Sequence, residues 1–357
     1  MKLGTIERIG GLVLALTLLA ACGGGSPAAT SSVGSGQIQG AGSTFVDPFL
    51  ESAFYQYNQL HPAVSVNYQA IGSGGGIEQF TKGTVDFGAT DVPMSAAEIA
   101  AAGGGASLVQ VPDTLGVAAV AYNEPSLPKL RLDGPTLAAI FLGQVKKWND
   151  ARIAGLNPGT KLPDASITVV HRSDGSGTTY AFTDYLAKVS PQWKSQVGTS
   201  KSVQWPVGVG GSGNSGVGQA VKTTPGSIGY VELAYVLQSN LQQAYLKNAD
   251  GQYVQATEGG ASKAASQVSG ISSTNFSITN QPGAQSYPIT TLSWLVIRTD
   301  QKNGSRSKAL VYLLRWLVTD GQAYGSALKY APLPATVRAL ALNQLKAVTQ
   351  NGRAILS

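Results

Sequence analysis

Three short segments combine glycine with hydroxyl side chains where a strand gives way to a helix. They are Gly40-Ala41-Gly42-Ser43-Thr44-Phe45, Gly72-Ser73-Gly74-Gly75-Gly76 and Arg172-Ser173-Asp174-Gly175-Ser176-Gly177-Thr178. Such junctions bind anions, because first-turn N–H groups lack partners and sit at the positive end of the helix dipole. One segment alone is weak evidence, but three on one chain point to a shared oxyanion. A fourth segment, Val85-Asp86-Phe87-Gly88-Ala89-Thr90-Asp91, ends in a carboxylate. That carboxylate makes the ligand's own protonation state part of the chemistry.

The elements that must position these residues follow from hydrophobic periodicity. Val64, Val66 and Tyr68 alternate as in a strand and lead into the Gly72 loop, after which Ile77 and Phe80 begin a helix. Ile167 and Val169 lead in the same way into the Arg172 segment, and Phe182, Tyr185, Leu186 and Val189 then mark one helical face. The first segment predicts a helix from about Val46, with Pro48 in its first turn and Phe49, Ala53, Phe54 and Tyr57 facing inward. Each segment thus falls at the C-terminal end of a strand, the edge where open α/β sheets bind ligands. Two apolar stretches, Leu108 to Tyr122 and Tyr287 to Ile297, are long enough to cross between lobes. They predict a discontinuous lobe I of residues 37–112 plus 292–357 and a lobe II of residues 117–286. Helices are expected from Ala309 to Tyr324 and from Ala335 to Val348.

At 357 residues, with 43% hydrophobic and 12% charged side chains, the chain is a folded protein with a large core. Its 44 glycines favour tight turns and sites lined by backbone. Lys2 and Arg8 precede an apolar run from Gly11 to Ala21 that is too short to span a bilayer and ends at Leu19-Ala20-Ala21-Cys22. Residues 1–21 are similar to a bacterial lipoprotein signal, which implies cleavage before Cys22 and a diacylglyceryl group on its thiol. A conventional secretory signal cut near the alanine pair is the plainer alternative. Cys22 is the single cysteine, so no intrachain disulfide forms. Residues 22–36 are expected to be a flexible Gly/Ser tether. Without residues 1–21 the formal charge falls from +6 to +5, with no basic blocks or interleaved aromatics of a nucleic-acid surface. His61 and His171 are the only histidines and read as packing residues, and no Cys/His or carboxylate set suggests a metal site. Gly208 to Gly218 lacks the Gly-Lys-Ser/Thr ending of a nucleotide loop and reads as a loop at the cleft. No cofactor is expected.

Together with Leu142-Gly143-Gln144-Val145-Lys146-Lys147-Trp148-Asn149-Asp150 and Gly226-Ser227-Ile228-Gly229-Tyr230-Val231-Glu232, the four segments resemble the phosphate-binding proteins of bacterial ABC phosphate uptake systems, the PstS family. The resemblance covers essentially the whole chain after the signal. It implies a type II periplasmic-binding-protein fold: two α/β lobes joined by two hinge strands, with desolvated phosphate in the cleft. It further implies a monomeric, non-enzymatic, extracytoplasmic receptor that hands phosphate to a membrane permease. Thr44 would supply its hydroxyl and N–H, Phe45 its N–H, and Ser73 its hydroxyl. Arg172 would supply charged donors, and Ser176, Gly177 and Thr178 would add N–H and hydroxyl donors. Asp174 would hold Arg172, and Asp91 would accept a hydrogen bond from the ligand. Ser43 stands where an alanine is frequent in the family, and Ser212 and Ser215 stand where charged residues often occur.

Asp91 suits a ligand that is both anionic and protonated. Monohydrogen phosphate has a P–OH to donate, whereas sulfate at neutral pH has none, and a site built for that bond rejects the other ligand by roughly 10⁴-fold. Each residue alone admits a plainer reading. Thr44 suits a helix cap, Gly72 to Gly76 a tight turn, Asp91 before Val92-Pro93 a turn, and Arg172 with Asp174 a surface ion pair. Two rival functions remain: a receptor for sulfate, molybdate or a phosphonate, and a phosphoryl-transfer enzyme using Ser176 or Thr178. The second lacks an evident base.

Overall fold

The computed structural model describes residues 33–356. The expected signal, Cys22 and most of the expected tether lie outside them. The main sheet uses β1 (Gly36–Gly42), β2 (Val64–Ala70), β3 (Phe87–Thr90), β4 (Leu108–Asn123), β5 (Thr168–Arg172), β6 (Val209–Gly211), β7 (Ser227–Glu232), β8 (Gln242–Gln243) and β9 (Thr290–Arg298). Its strand order is β2-β1-β3-β9-β4-β7-β5-β6, with β8 paired to β4. One half holds β1, β2 and β3 in parallel; the other holds β5, β6 and β7 in parallel.

β4 belongs to both halves. Leu108 to Val117 pair with β9, and Ala118 to Asn123 pair with β7. The strand is buried along its length until Asn123, so it reads as a continuous apolar run rather than an alternating one. Pro112 does not end it, because the β4–β9 register shifts beside the proline, between Ser293 and Trp294. The residues expected to form a crossing, Leu108 to Tyr122, lie within this one continuous strand.

The helices that flank the site are α1 (Asp47–Leu60), α2 (Ser73–Lys82), α3 (Gly177–Val189), α4 (Gly213–Thr223), α5 (Leu233–Gln238), α6 (Gly304–Leu317) and α7 (Ala335–Lys346). α1 carries Pro48 in its first turn and buries Phe49, Ala53, Phe54 and Tyr57 as its spacing predicts. α6 stops at Leu317 instead of continuing to Tyr324, and residues Asp320–Tyr324 form a 3-10 turn. Thr319, Asp320 and Gly321 are poor helix formers, and the Gln322 amide caps the Leu317 carbonyl at 2.8 Å. The last residues of the expected tether are held in place: Val33 packs against the core, and the Ser35 N–H donates to Ser305 Oγ at 2.9 Å. Among the described residues no helix is long and apolar enough to cross a membrane.

Candidate functional site

The strand ends of both halves converge on one buried site. Ser43, Thr44 and Phe45 follow β1, Ser73 opens α2 after β2, and Asp91 follows β3. From the other half, Arg172 ends β5, Ser176 caps α3, and Gly177 and Thr178 form its first turn. Ser43, Thr44, Phe45, Ser73, Asp91, Arg172, Ser176 and Thr178 are all 5% exposed or less, so the site is closed to solvent. All the sequence-predicted ligand residues, with Ser43 and Asp174 beside them, are brought together; Cys22 lies outside the described residues.

Backbone geometry lets the halves meet this closely. Gly72 has φ 88°, and a Cβ there would lie 2.2 Å from Asp174 Oδ2. A Cβ on Gly177 would lie 2.5 Å from Asp91 Cβ. The Gly74 N–H donates to the Gly175 carbonyl at 2.8 Å, and the Gly177 N–H donates to Ser73 Oγ at 3.1 Å. Both bonds join opposite halves.

The hydroxyls are arranged to give protons rather than receive them. Thr44 Oγ1 accepts from the backbone N–H and the side-chain amide of Asn214, both at 3.1 Å. Thr178 Oγ1 accepts from the same amide at 3.1 Å and from Arg172 Nη1 at 3.3 Å. A hydroxyl has two acceptor lone pairs and one proton. With two donors already on each oxygen, Thr44 and Thr178 have their protons left to offer. Ser176 Oγ accepts from the Thr179 N–H at 3.1 Å, which makes it the cap of α3 and leaves its own proton to donate.

Arg172 is forked onto Asp174, with Nε to Oδ1 at 2.7 Å and Nη2 to Oδ2 at 2.5 Å. Its backbone N–H donates to the Tyr230 phenol at 3.1 Å. The fork leaves an N–H on each terminal nitrogen for a further acceptor. Burial alone would raise the Asp174 carboxyl, but the Arg172 bonds and charge, with the Gly213 N–H, outweigh it and hold the group below its usual range. Asp91 shows the opposite balance. Burial pushes it up to about 7, against the pull of the Ser43 hydroxyl, the Arg172 charge and the Ser73 and Ser293 hydroxyls. Ser43 Oγ donates to Asp91 Oδ1 at 2.5 Å, and Ser73 Oγ lies 3.4 Å from Oδ2.

Ser43 makes a contact within the site rather than capping α1. Besides bonding Asp91 it accepts the Phe45 N–H at 3.0 Å, so that N–H and the Gly177 N–H both bond protein hydroxyls here. Asn214 was not singled out by its spacing, although it is fully buried and bridges Thr44 and Thr178 across the halves. Its Oδ1 accepts the Glu232 N–H at 2.9 Å, which fixes which way the amide faces. The available signal was its place at the start of α4 after β6, the same junction pattern as the other segments. Tyr235 and Tyr330 donate to the carbonyls of Thr44 and Phe45 at 2.8 and 2.6 Å, contacts that no local spacing announces. His171 stacks on Trp205 at 4.8 Å between ring centres, a packing role. Among the described residues no group of three or more His, Cys, Asp or Glu is placed to hold a metal ion.

Residues 27–320 match the PBP superfamily domain. The phosphate-binding protein PstS of Xylella fastidiosa (strain 9a5c) is 44% identical over 313 residues, covering 87% of this chain and 85% of that protein. The phosphate-binding protein PstS of Haemophilus influenzae is 41% identical over 313 residues, covering 87% of this chain and 92% of that one. A solved phosphate-binding protein from Stenotrophomonas maltophilia shares the fold, with a TM-score of 0.66 at 20% identity over 86% of this chain and 94% of that one.

Proposed function

Because this chain belongs to the PstS family of phosphate-binding proteins within the PBP superfamily, we propose that it captures inorganic phosphate outside the cytoplasm and delivers it to an ABC-type importer. The observation that carries this reading is Asp91, a buried carboxylate set among hydroxyl and guanidinium donors. A fully deprotonated oxyanion would meet it acceptor to acceptor, whereas monohydrogen phosphate brings a proton for it. The remaining phosphate oxygens would take the outward protons of Thr44, Ser176 and Thr178 and the free N–H groups of Arg172. Ser73, Phe45 and Gly177 would complete the clamp once the ligand replaces the protein partners that their donors hold here. Asp174 offsets the guanidinium charge, so selectivity rests on directed hydrogen bonds rather than on excess charge.

The protein acts by binding and release, without turnover. Ser176 Oγ is committed to capping α3 and His171 to stacking on Trp205, which favours a receptor over phosphoryl transfer. Residues 37–112 plus 292–357 and residues 117–286 act as two lobes about the β4 and β9 strands, and ligand stabilises the closed arrangement. The mature protein works as a monomer tethered to the membrane by a lipid on Cys22. Isothermal titration should show tight phosphate binding and little response to sulfate. An absence of phosphate binding overturns the proposal.

A further inference from the structure

A second buried carboxylate lies behind Asp91. In the β4–β9 register Thr114 faces Ser293 and Pro112 faces Trp294, so Asp113 is the extra residue of a bulge. Bulges beside functional sites re-aim a side chain. On the other side of β9, Thr90 faces Trp294, which brings the next residue, Asp91, alongside Ser293. Ser293 thus stands between two aspartates, one from each flanking strand. Ser293 and Asp113 are wholly buried and Asp91 is 1% exposed.

The two carboxylates are unequally served. Asp91 has the Ser43 and Ser73 hydroxyls and the Arg172 charge. Neither oxygen of Asp113, nor the Ser293 hydroxyl, closes a hydrogen bond of normal geometry. The hydroxyl is nevertheless near enough to both carboxylates to favour the ionised form of each. Two ionised carboxylates cannot share a dry interior cheaply, and the proton belongs on the one whose oxygens close no hydrogen bond of normal geometry. Burial, with the Asp91 charge added, pushes Asp113 well above the ordinary carboxyl range.

We propose that Asp113 is a positioning residue: as a neutral acid it donates to Ser293 Oγ, which turns the Ser293 proton toward Asp91 and holds that carboxylate ionised and oriented for the ligand. This rests on the reading of Asp91 as the acceptor of the ligand's proton. Serine has one proton to give, so the polarity of the Asp113–Ser293–Asp91 chain is set at the Asp113 end. The titratable groups that face Asp113 are Asp91 and, from β2, Tyr68. The 3-10 turn after α6 contributes the uncharged Gln322, whose amide donates to the Asp113 carbonyl at 2.8 Å. Val337, Ala341 and Leu345 are the side chains that α7, packed on β4, buries.

The test compares D113N, D113L, S293A and the double variant D113L/S293A, as full chains titrated with inorganic phosphate and with sulfate. Asparagine retains a donor for Ser293, so D113N should bind phosphate within about threefold of the parent. D113L and S293A should each bind about tenfold more weakly, the loss of one hydrogen bond at the site. The double variant should be no worse than either single one, because all three interrupt the same chain. Additive losses, or D113N as weak as D113L, overturn the proposal. Infrared difference spectra of parent against D113N without ligand supply a second readout, which survives if D113L fails to fold. The parent should show a protonated-carboxyl C=O band at neutral pH that D113N lacks, and no such band overturns the proposal. If the band is present but the parent does not bind phosphate, the functional reading fails and the protonation of Asp113 stands.

Discussion

The side of the site carried by β1, β2 and β3 offers hydroxyls and one carboxylate, Asp91, whereas the side carried by β5 and α3 offers a guanidinium already matched by Asp174. Each side holds an aspartate, and their surroundings send them in opposite directions. Asp174 sits in the fork of Arg172 and is kept ionised. Asp91 is sealed among neutral hydroxyls, and its carboxyl is pushed up to about 7 by burial, against the Ser43, Arg172, Ser73 and Ser293 contributions. One side therefore responds to the ligand's charge and the other to its proton. The charge-reading side suits any tetrahedral anion, so discrimination between phosphate and sulfate falls to the side that carries Asp91.

The comparison breaks most completely at Asp91. Asp91→Asn keeps the shape but gives the side chain N–H donors, which suit sulfate as well as phosphate. The phosphate-over-sulfate affinity ratio should collapse by about 10²-fold or more, measured by competition titration. The same variant tests the electrostatics of the fold without ligand. A carboxyl raised from 3.8 to about 7 adds stability fully below pH 3.8, and that contribution is lost as pH rises to about 7. Glu232 and Asp113 are raised too, so the informative quantity is the difference between parent and variant. Chemical denaturation across pH 4 to 8 should show the parent losing stability relative to Asp91→Asn as pH rises. A constant difference would remove Asp91 from the account.

On the opposite side, Arg172→Met should lower phosphate affinity by at least about 10²-fold, because it removes the charged donors and leaves Asp174 unmatched beside the anion. Asp174→Asn should cost less, since the guanidinium remains while one arm of its support is weakened. If the two variants lose equal affinity, the matching of Arg172 by Asp174 matters more than the donors that Arg172 presents.

How much of this was legible in the sequence depends on whether a role is set by neighbours along the chain or across it. Thr44, Ser73, Arg172 and Thr178 lie at strand-to-helix junctions whose local pattern already marks them as candidates, and the structure brings them together. α1 and β4 were likewise readable from periodicity and from an unbroken apolar run. Asn214 was not, because its importance comes from reaching Thr44, 170 positions away, and Thr178, 36 positions away. Asp113 was hidden for another reason. A carboxylate in an apolar strand is unremarkable until a bulge is known to set it beside Ser293. The early end of α6 shows the same limit, since Gln322 caps Leu317 while also reaching the Asp113 carbonyl of another element.

Contact between the two sides can be loosened without touching any donor. Gly177→Ala places a Cβ 2.5 Å from Asp91 Cβ, against side chain and backbone rather than a flexible tip. The two sides would have to stand apart by a fraction of an ångström or more. Phosphate affinity should fall by about tenfold or more, since hydrogen bonds weaken steeply once their geometry is lost. Small-angle scattering of the variant with phosphate should show a larger radius of gyration than the parent under the same conditions. An affinity equal to the parent's would mean that the interface yields more easily than its glycines suggest.

The smallest effect is expected at the rim, where Lys201 Nζ pairs with Glu98 across the two sides. Glu98 also closes a capping box with Ser95 at the start of the helix Ala96–Ala101, so removal of the whole side chain would confuse two roles. Glu98→Gln separates them, because glutamine serves the capping box but carries no charge. Burial favours the protonated form of Glu98, yet the bonds from Lys201 and Ser95 outweigh it and hold the carboxyl below its usual range. The pair's contribution is therefore present at neutral pH and fades as pH falls through that lowered value. The side chains are 19% and 28% exposed, so salt screens the pair and its worth is at most about 1 kcal/mol. Glu98→Gln should weaken phosphate binding by no more than about fivefold, mainly through faster release in stopped-flow measurements, and the difference should shrink at high salt. A salt-independent loss would instead assign Glu98 to the packing of that helix rather than to a contact between the two sides.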